Sequence, residues 1–147
     1  MSVCLSAPLS SQRVTVNQPR SILIVDDQES TLFAMAEYFT SRGFVVDGAC
    51  EVREAEMLLA ANPYAAVITD LQLTASHDRQ GLDLITHVRQ QRPSACIILL
   101  TAHGSPRVEA EARRRGVDAF LVKPQPLSVV EQTIRDLLAS RPESPQR

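Results

Sequence analysis

Apolar residues follow two different spacings along this chain, and the two spacings alternate. Short continuous apolar runs rich in β-branched residues are typical of strands buried on both faces of a parallel sheet. Apolar residues that recur every three or four positions are typical of helices packed against such a sheet. Five strands are predicted in this way, and they are Ser21–Asp26, Phe44–Ala49, Ala65–Thr69, Ala95–Leu100 and Ala119–Val122.

A stretch with helical spacing follows each predicted strand. The first four stretches end at residues that commonly terminate helices, which are Gly43, Pro63, Pro93 and Gly116. The last stretch covers Leu127–Leu138, and a mostly polar loop is predicted over Leu71–Gln80, between the third strand and its helix. Strands alternating with helices predict an α/β fold with a doubly wound, mostly parallel sheet.

Length and composition fit a single folded domain. The chain has 147 residues, of which 44% are hydrophobic and 22% charged, close to the averages of globular proteins. We expect the domain over residues 21–138, with a flexible leader over residues 1–20 and a polar tail over residues 139–147. The formal net charge of −2 cannot supply the positive field that non-specific nucleic-acid binding needs, so direct nucleic-acid binding is not expected.

The sequence predicts a cytoplasmic protein. Its three cysteines are far apart and form no C-x-x-C motif, which favours a reducing compartment over a disulfide framework. The first residues lack the basic start and apolar core of a signal peptide. No apolar run approaches the roughly 18 residues that a membrane-spanning helix requires, so no membrane contact is expected.

Charged and hydroxyl side chains stand at the ends of four predicted strands. They are Asp26, Asp27, Asp70, Thr101 and Lys123. The carboxyl ends of parallel strands meet at one edge of the sheet, where such folds bind ligands. Converging carboxylates repel each other by about 4 kcal/mol per pair at 4 Å and an effective dielectric constant near 20. We therefore expect compensation from Lys123 and from a divalent cation such as Mg²⁺, which prefers oxygen ligands.

Four motifs at these strand ends carry a resemblance to a known family. They are Ile-Val-Asp-Asp at 24–27, Val-Ile-Thr-Asp-Leu at 67–71, Leu-Leu-Thr-Ala-His-Gly at 99–104 and Phe-Leu-Val-Lys-Pro at 120–124. In this order and spacing they resemble the receiver domain of bacterial two-component response regulators, over roughly Ser21–Leu138. The resemblance implies a flavodoxin-like, five-stranded parallel sheet of order 2-1-3-4-5 with five helices.

The resemblance implies phosphoryl chemistry at Asp70. This carboxylate would accept a phosphoryl group from the phosphohistidine of a sensor histidine kinase or of a phosphotransfer protein, in a Mg²⁺-dependent reaction. Asp27, Asp70 and the main-chain carbonyl of Gln72 would bind the metal directly, and Asp26 partly through water. Lys123 would neutralise the phosphoryl oxygens. The chain would catalyse its own phosphorylation and dephosphorylation and would not be an enzyme for a separate substrate.

The resemblance also implies a conformational switch. The Thr101 hydroxyl would donate to the new phosphoryl group, and the ring of Phe120 would move inward when Thr101 shifts. Each residue has a simpler interpretation as well, because Thr101 could bond its own backbone and Phe120 packs in the core in either case. The bond between Lys123 and Pro124 is expected to be cis, as in the family.

The loop after Asp70 departs from the family pattern. Thr74 stands where the family often has proline, and the segment to Gly81 is longer than usual. We therefore expect a partner-specific surface at Ala75–Gln80. The same segment resembles the opening motif of haloacid-dehalogenase phosphatases, but Gln72 stands where their second aspartate acts as general acid, and it cannot transfer a proton.

The function predicted from these features is that of a single-domain response regulator. After Leu138 the chain is too short for a DNA-binding domain, so we expect a stand-alone receiver that acts on a downstream protein. It could pass the phosphoryl group along a relay, drain it from a kinase or bind a target when phosphorylated, and the sequence leaves these open. The alternative is a receiver-like binding module that works without phosphorylation.

Overall fold

The computed structural model describes residues 20–70, 78–102 and 104–140. Its strands are β1 (Ser21–Asp26), β2 (Val45–Ala49), β3 (Ala66–Asp70), β4 (Cys96–Thr101) and β5 (Ala119–Val122). Its helices are α1 (Glu29–Ser41), α2 (Val52–Ala61), α3 (Asp78–Gln91), α4 (Pro106–Arg115) and α5 (Leu127–Ser140). The strands form one parallel sheet of order β2-β1-β3-β4-β5, which confirms the predicted fold.

The predicted element bounds are mostly right to within a residue, with two larger differences. Helix α3 begins at Asp78, so the predicted loop over Leu71–Gln80 is wrong at its end. The first turn of α3 is polar and shows no helical spacing, which begins only at Leu82. Helix α5 continues to Ser140, two residues into the predicted tail. Residues 1–19 of the predicted leader over residues 1–20, and the part of the predicted tail beyond residue 140, lie outside the described residues.

Successive side chains of the central strands point to opposite faces of the sheet, so the core consists of two layers. Ile22 and Ile24 of β1 pack with α1 and α5, and we call this side of the sheet the α1/α5 face. Leu23 and Val25 point the other way and pack with α2, α3 and α4, on what we call the α2–α4 face. Strands β3 and β4 are buried at every position, as expected of strands covered on both faces.

Glu131 of α5 is a buried carboxylate that joins α5 to α1. The Tyr38 hydroxyl donates to its Oε1 at 2.7 Å, and Arg42 Nε donates to the same oxygen at 3.0 Å. Arg135 Nε donates to Oε2 at 2.8 Å. The hydrogen bond from Tyr38, assisted by those from the two arginines, lowers the pKa of Glu131 to about 2 against the opposing effect of burial. The charged form of Glu131 therefore stabilises the packing of α1 on α5.

Replacing Glu131 with glutamine is expected to lower the free energy of unfolding by about 1–3 kcal/mol at pH 7, because charged hydrogen bonds are lost in a buried place. The contribution of Glu131 is complete above its ordinary pKa of 4.5 and is lost as the pH falls toward 2. Urea unfolding followed by circular dichroism should therefore show a smaller difference between wild type and Glu131→Gln at pH 3 than at pH 7.

The control for this prediction is the exposed Glu37 of α1. Its replacement by glutamine should change the free energy of unfolding by no more than about 0.5 kcal/mol. An equal loss for Glu131→Gln at both pH values would contradict the prediction, because the effect would then be one of packing and not of charge.

Candidate functional site

Two buried aspartates stand side by side at the carboxyl edge of the sheet. Asp26 ends β1 and Asp70 ends β3, and the two are paired in register across these neighbouring strands. Asp26 is 1% exposed and Asp70 is 4% exposed. Each lies two positions after a residue of the α1/α5 face, Ile24 and Ile68, so alternation places both carboxylates on that face.

Lys123 brings a positive charge to the two aspartates from the end of β5, which is two strands away from β3 in the sheet. It follows β5 directly, and its Nζ lies 2.8 Å from Oδ1 of Asp70. The side chain is one-third exposed, so the ammonium group is partly solvated. The backbone N–H of Lys123 donates to the carbonyl of Thr101 at 2.8 Å, which extends the β4–β5 pairing to the site. The Lys123–Pro124 peptide bond is cis, as predicted.

Positive charge at the site only partly compensates the two carboxylates. Asp26 Oδ1 accepts the backbone N–H of Gln28 at 2.9 Å. The other oxygens, Oδ2 of Asp26 and Oδ2 of Asp70, are buried with no hydrogen-bond partner among the described residues. Burial raises the pKa of Asp26 to about 7, and the charge of Asp70 adds to this effect, while the Gln28 hydrogen bond and Lys123 oppose it. Two unpartnered carboxylate oxygens in a buried place are suited to a bound cation.

The remaining predicted metal ligands are less well placed by the structure. Asp27 is exposed and directly follows Asp26, at the same edge of the sheet. Gln72 lies outside the described residues. Within 20–70, 78–102 and 104–140, no group of three or more His, Cys, Asp or Glu side chains converges closely enough to hold a metal by itself. Mg²⁺ commonly keeps several bound waters and takes only one or two carboxylate ligands. The buried aspartates therefore fit Mg²⁺ better than a cation that takes all its ligands from the protein.

Alternation along β4 and β5 assigns Thr101 and Phe120 to the other side of the sheet from the aspartates. Thr101 ends β4 and is fully buried, and alternation from Leu99 places it on the α2–α4 face. Phe120 of β5 pairs in register with Leu99 and packs at the margin of the same core layer. The predicted residues thus form a carboxylate and lysine group on one face and a threonine and aromatic group on the other. The roles assigned to all of them stay predictions.

A cleft that the sequence did not predict adjoins the acidic pair. It has a volume of about 450 Å³ and separates α1 from the start of α5, and Asp70 and Lys123 are among its lining residues. Most of its other lining residues are apolar or small, namely Ala34, Met35, Leu100, Pro124, Leu127 and Val130. The pattern of apolar residues indicates which helix faces are covered, but not where two covering helices leave a gap.

The fold and the site together define a class of protein, a doubly wound α/β domain with a buried acidic pair and a lysine at the carboxyl edge of its sheet. The sequence profile of the response regulator receiver domain matches residues 22–135. This chain therefore belongs to the response regulator receiver family. Receiver domains are signalling domains that interact with histidine kinases or phosphotransfer proteins and bind Mg²⁺ at their phosphorylation site.

Relatives extend this comparison. The photosynthetic apparatus regulatory protein RegA of Cereibacter sphaeroides is 33% identical over 127 residues, which cover 86% of this chain and 67% of RegA. The chain spans between 26% and 67% of the length of the curated relatives that it matches here. No helix within the described residues is long and apolar enough to cross a membrane.

Solved structures agree with the assignment. A response regulator from Burkholderia pseudomallei is 27% identical, with a TM-score of 0.73, over 82% of this chain and 69% of that one. That structure contains a phosphorylated aspartic acid, a calcium ion and citrate. A receiver domain protein from Methanospirillum hungatei has a TM-score of 0.76 at 23% identity, over 82% and 94% of the two chains, and it shows the fold alone.

Proposed function

We propose that this chain accepts a phosphoryl group on Asp70 from a phosphohistidine of a sensor histidine kinase or a phosphotransfer protein. The observation that carries the proposal is the arrangement of Asp70 itself. One of its oxygens is 2.8 Å from Lys123 Nζ, and the other is buried without a partner among the described residues. A carboxylate held in this way is oriented for attack and has a cation beside it that can neutralise incoming charge.

In the proposed reaction, a carboxylate oxygen of Asp70 forms a bond to phosphorus while the nitrogen–phosphorus bond of the donor breaks. The imidazole nitrogen of the donor keeps the electron pair of that bond. Lys123 stabilises negative charge on the transferring phosphoryl oxygens, so the chain contributes positioning and electrostatics. Asp26, Asp27, Asp70 and the Gln72 carbonyl would hold Mg²⁺, which would supply the further positive charge that phosphoryl transfer requires.

The cleft between α1 and α5 supports access of a donor. Its lining is mostly apolar and includes Asp70 and Lys123, the two residues that the reaction uses. A side chain from a partner protein can enter such a cleft while the surrounding apolar surface is covered. We place this encounter in the cytoplasm, with no contribution from a membrane or from direct nucleic-acid binding.

The signal is proposed to leave the domain through Thr101 and Phe120. Their position on the α2–α4 face, opposite the aspartates, supports a change that is transmitted through the sheet edge to a separate surface. Phosphorylation biases such a change only by its differential interaction with two arrangements. The proposed recipient is a downstream protein or the next member of a phosphorelay, and action without an attached effector stays a prediction.

The test is intact mass spectrometry of the full chain after incubation with acetyl phosphate. In Mg²⁺ the chain should gain one acid-labile phosphoryl group, and in EDTA it should gain none, because the transferring charge is then uncompensated. Peptide mapping should place the group on Asp70. If no adduct forms with acetyl phosphate or with a phosphorylated kinase, and Mg²⁺ does not bind, the phosphorylation-independent binding module replaces this proposal.

A further inference from the structure

Gly104 leaves no room for a side chain beside Phe120, the aromatic residue proposed to switch, and beside Val122 of the same strand. It lies in the segment between β4 and α4, three residues after Thr101. A Cβ atom added to Gly104 would lie 2.8 Å from Cγ2 of Val122 and 3.0 Å and 3.3 Å from Cε2 and Cζ of Phe120. Carbon atoms in contact prefer separations of about 3.5–4.0 Å, so any side chain at position 104 would require a neighbour to move.

Space, and not backbone conformation, accounts for a glycine at this position. Gly43 and Gly116 have positive φ values of 98° and 113°, where other residues are strained. Gly104 is not among the glycines with positive φ, so alanine could adopt its backbone conformation. Alanine is disfavoured instead by lack of space, because its methyl group would lie too close to the Phe120 ring and the Val122 methyl group.

Described residues on either side of Gly104 are held by hydrogen bonds. Thr101 is the last residue of β4, and its carbonyl accepts the backbone N–H of Lys123. Ser105 caps α4, where its side-chain oxygen accepts the N–H of Val108 at 3.2 Å. Val122 is 44% exposed and can rotate toward solvent, but relief of the second contact requires the Phe120 ring to shift by a few tenths of an ångström.

We propose that Gly104 sets the resting balance of Phe120 between two positions, because its missing side chain leaves room for the ring beside it. This inference rests on the proposed function, in which Phe120 moves upon phosphorylation of Asp70. The arrangement in the structure has Asp70 paired directly with Lys123, as an unmodified carboxylate. A methyl group at position 104 disfavours that arrangement. By reciprocity it should favour binding of a phosphoryl group, or of an analogue, at Asp70.

The test uses beryllofluoride with Mg²⁺, a stable analogue of a phosphoryl group on a carboxylate, and fluorine NMR of the full chain labelled with fluorophenylalanine. The Phe120 signal is identified by its loss in Phe120→Leu. In Gly104→Ala without ligand, this signal should shift toward its position in beryllofluoride-bound wild type. Gly104→Ala should also bind beryllofluoride at least about fivefold more tightly than wild type.

Three further variants separate the proposed coupling from general strain. In the Phe120→Leu background, Gly104→Ala should no longer tighten binding, since the ring that it displaces is absent. In the Val122→Ala background, the tightening should persist, because the contact with Phe120 remains. Gly48→Ala is a control for crowding, because a Cβ there would lie 3.0 Å from Leu32 Cδ1, away from Phe120. It should leave the Phe120 signal unchanged.

The outcomes distinguish this inference from the proposed function. If wild type binds beryllofluoride but Gly104→Ala changes neither affinity nor the Phe120 signal, the inference is wrong and the proposed function stands. An equal effect of Gly104→Ala with and without the Phe120 ring also overturns the inference. If wild type fails to bind beryllofluoride, the proposed function fails, and a difference in the ligand-free Phe120 signal between wild type and Gly104→Ala still reports whether Gly104 controls the ring.

Discussion

Asp70→Asn is expected to abolish phosphoryl incorporation from acetyl phosphate and from a phosphorylated kinase. The asparagine amide has nearly the shape of the carboxylate but is a poor nucleophile, so no bond to phosphorus forms. The fold should remain, because Asp70 ends β3 with backbone pairing to β1 that the change leaves intact. Intact mass spectrometry should show the unmodified mass under conditions in which wild type gains one phosphoryl group.

The matched control for this prediction is Asp136→Asn on α5. Asp136 is an exposed carboxylate that accepts a hydrogen bond from Gln132 and lies outside the carboxyl edge of the sheet. Asp136→Asn should be phosphorylated as fully as wild type. Phosphorylation of Asp70→Asn at the wild-type level would show that another residue accepts the group and would overturn the assignment of Asp70.

Asp26→Asn is expected to change stability and metal affinity in opposite directions. In the absence of Mg²⁺ it should raise the free energy of unfolding by about 1–3 kcal/mol at pH 8, because it removes one of two adjacent buried carboxylates. The pKa of Asp26 is raised to about 7 from an ordinary value of 3.8. The folded state therefore holds the proton more tightly, and the gain should shrink as the pH falls from 7 toward 4.

The same substitution should weaken Mg²⁺ binding at least about tenfold, since a negative charge next to the cation is lost. Asp27→Asn provides the comparison, because Asp27 is at the same edge but exposed. It should weaken Mg²⁺ binding without raising stability. Urea unfolding in EDTA and calorimetric titration with Mg²⁺ measure the two quantities. A loss of stability in Asp26→Asn would contradict the view that the two carboxylates repel each other.

Much of the site could be predicted because its residues lie at strand ends. The apolar runs of β1, β3 and β4 mark where each strand stops, and parallel strands bring their carboxyl ends to one edge. Asp26, Asp70 and Lys123 follow from that rule. The start of α3 could not be predicted in the same way, because a polar turn shows no apolar spacing that would mark it as helical.

Which carboxylates are buried, and which side chains contact them, depended on the tertiary structure. The sequence grouped three carboxylates, whereas the structure buries Asp26 and Asp70 and leaves Asp27 exposed. Glu131 has the sequence environment of an ordinary helical residue, yet it is buried because Tyr38 and Arg42 approach from α1. These two partners are 93 and 89 residues from Glu131 in the chain, so no local pattern links them.

By itself, the sequence determined the fold class, the family and which strand ends carry charged residues, because these depend on short-range spacing and on motifs. Only the tertiary structure decided which oxygen of Asp70 faces Lys123, where the cleft between α1 and α5 opens, and that a side chain at position 104 would meet Phe120. These features depend on distances of a few ångströms between elements that are remote in the chain. Hydrophobic periodicity determines which face of an element is buried, but it does not fix such distances.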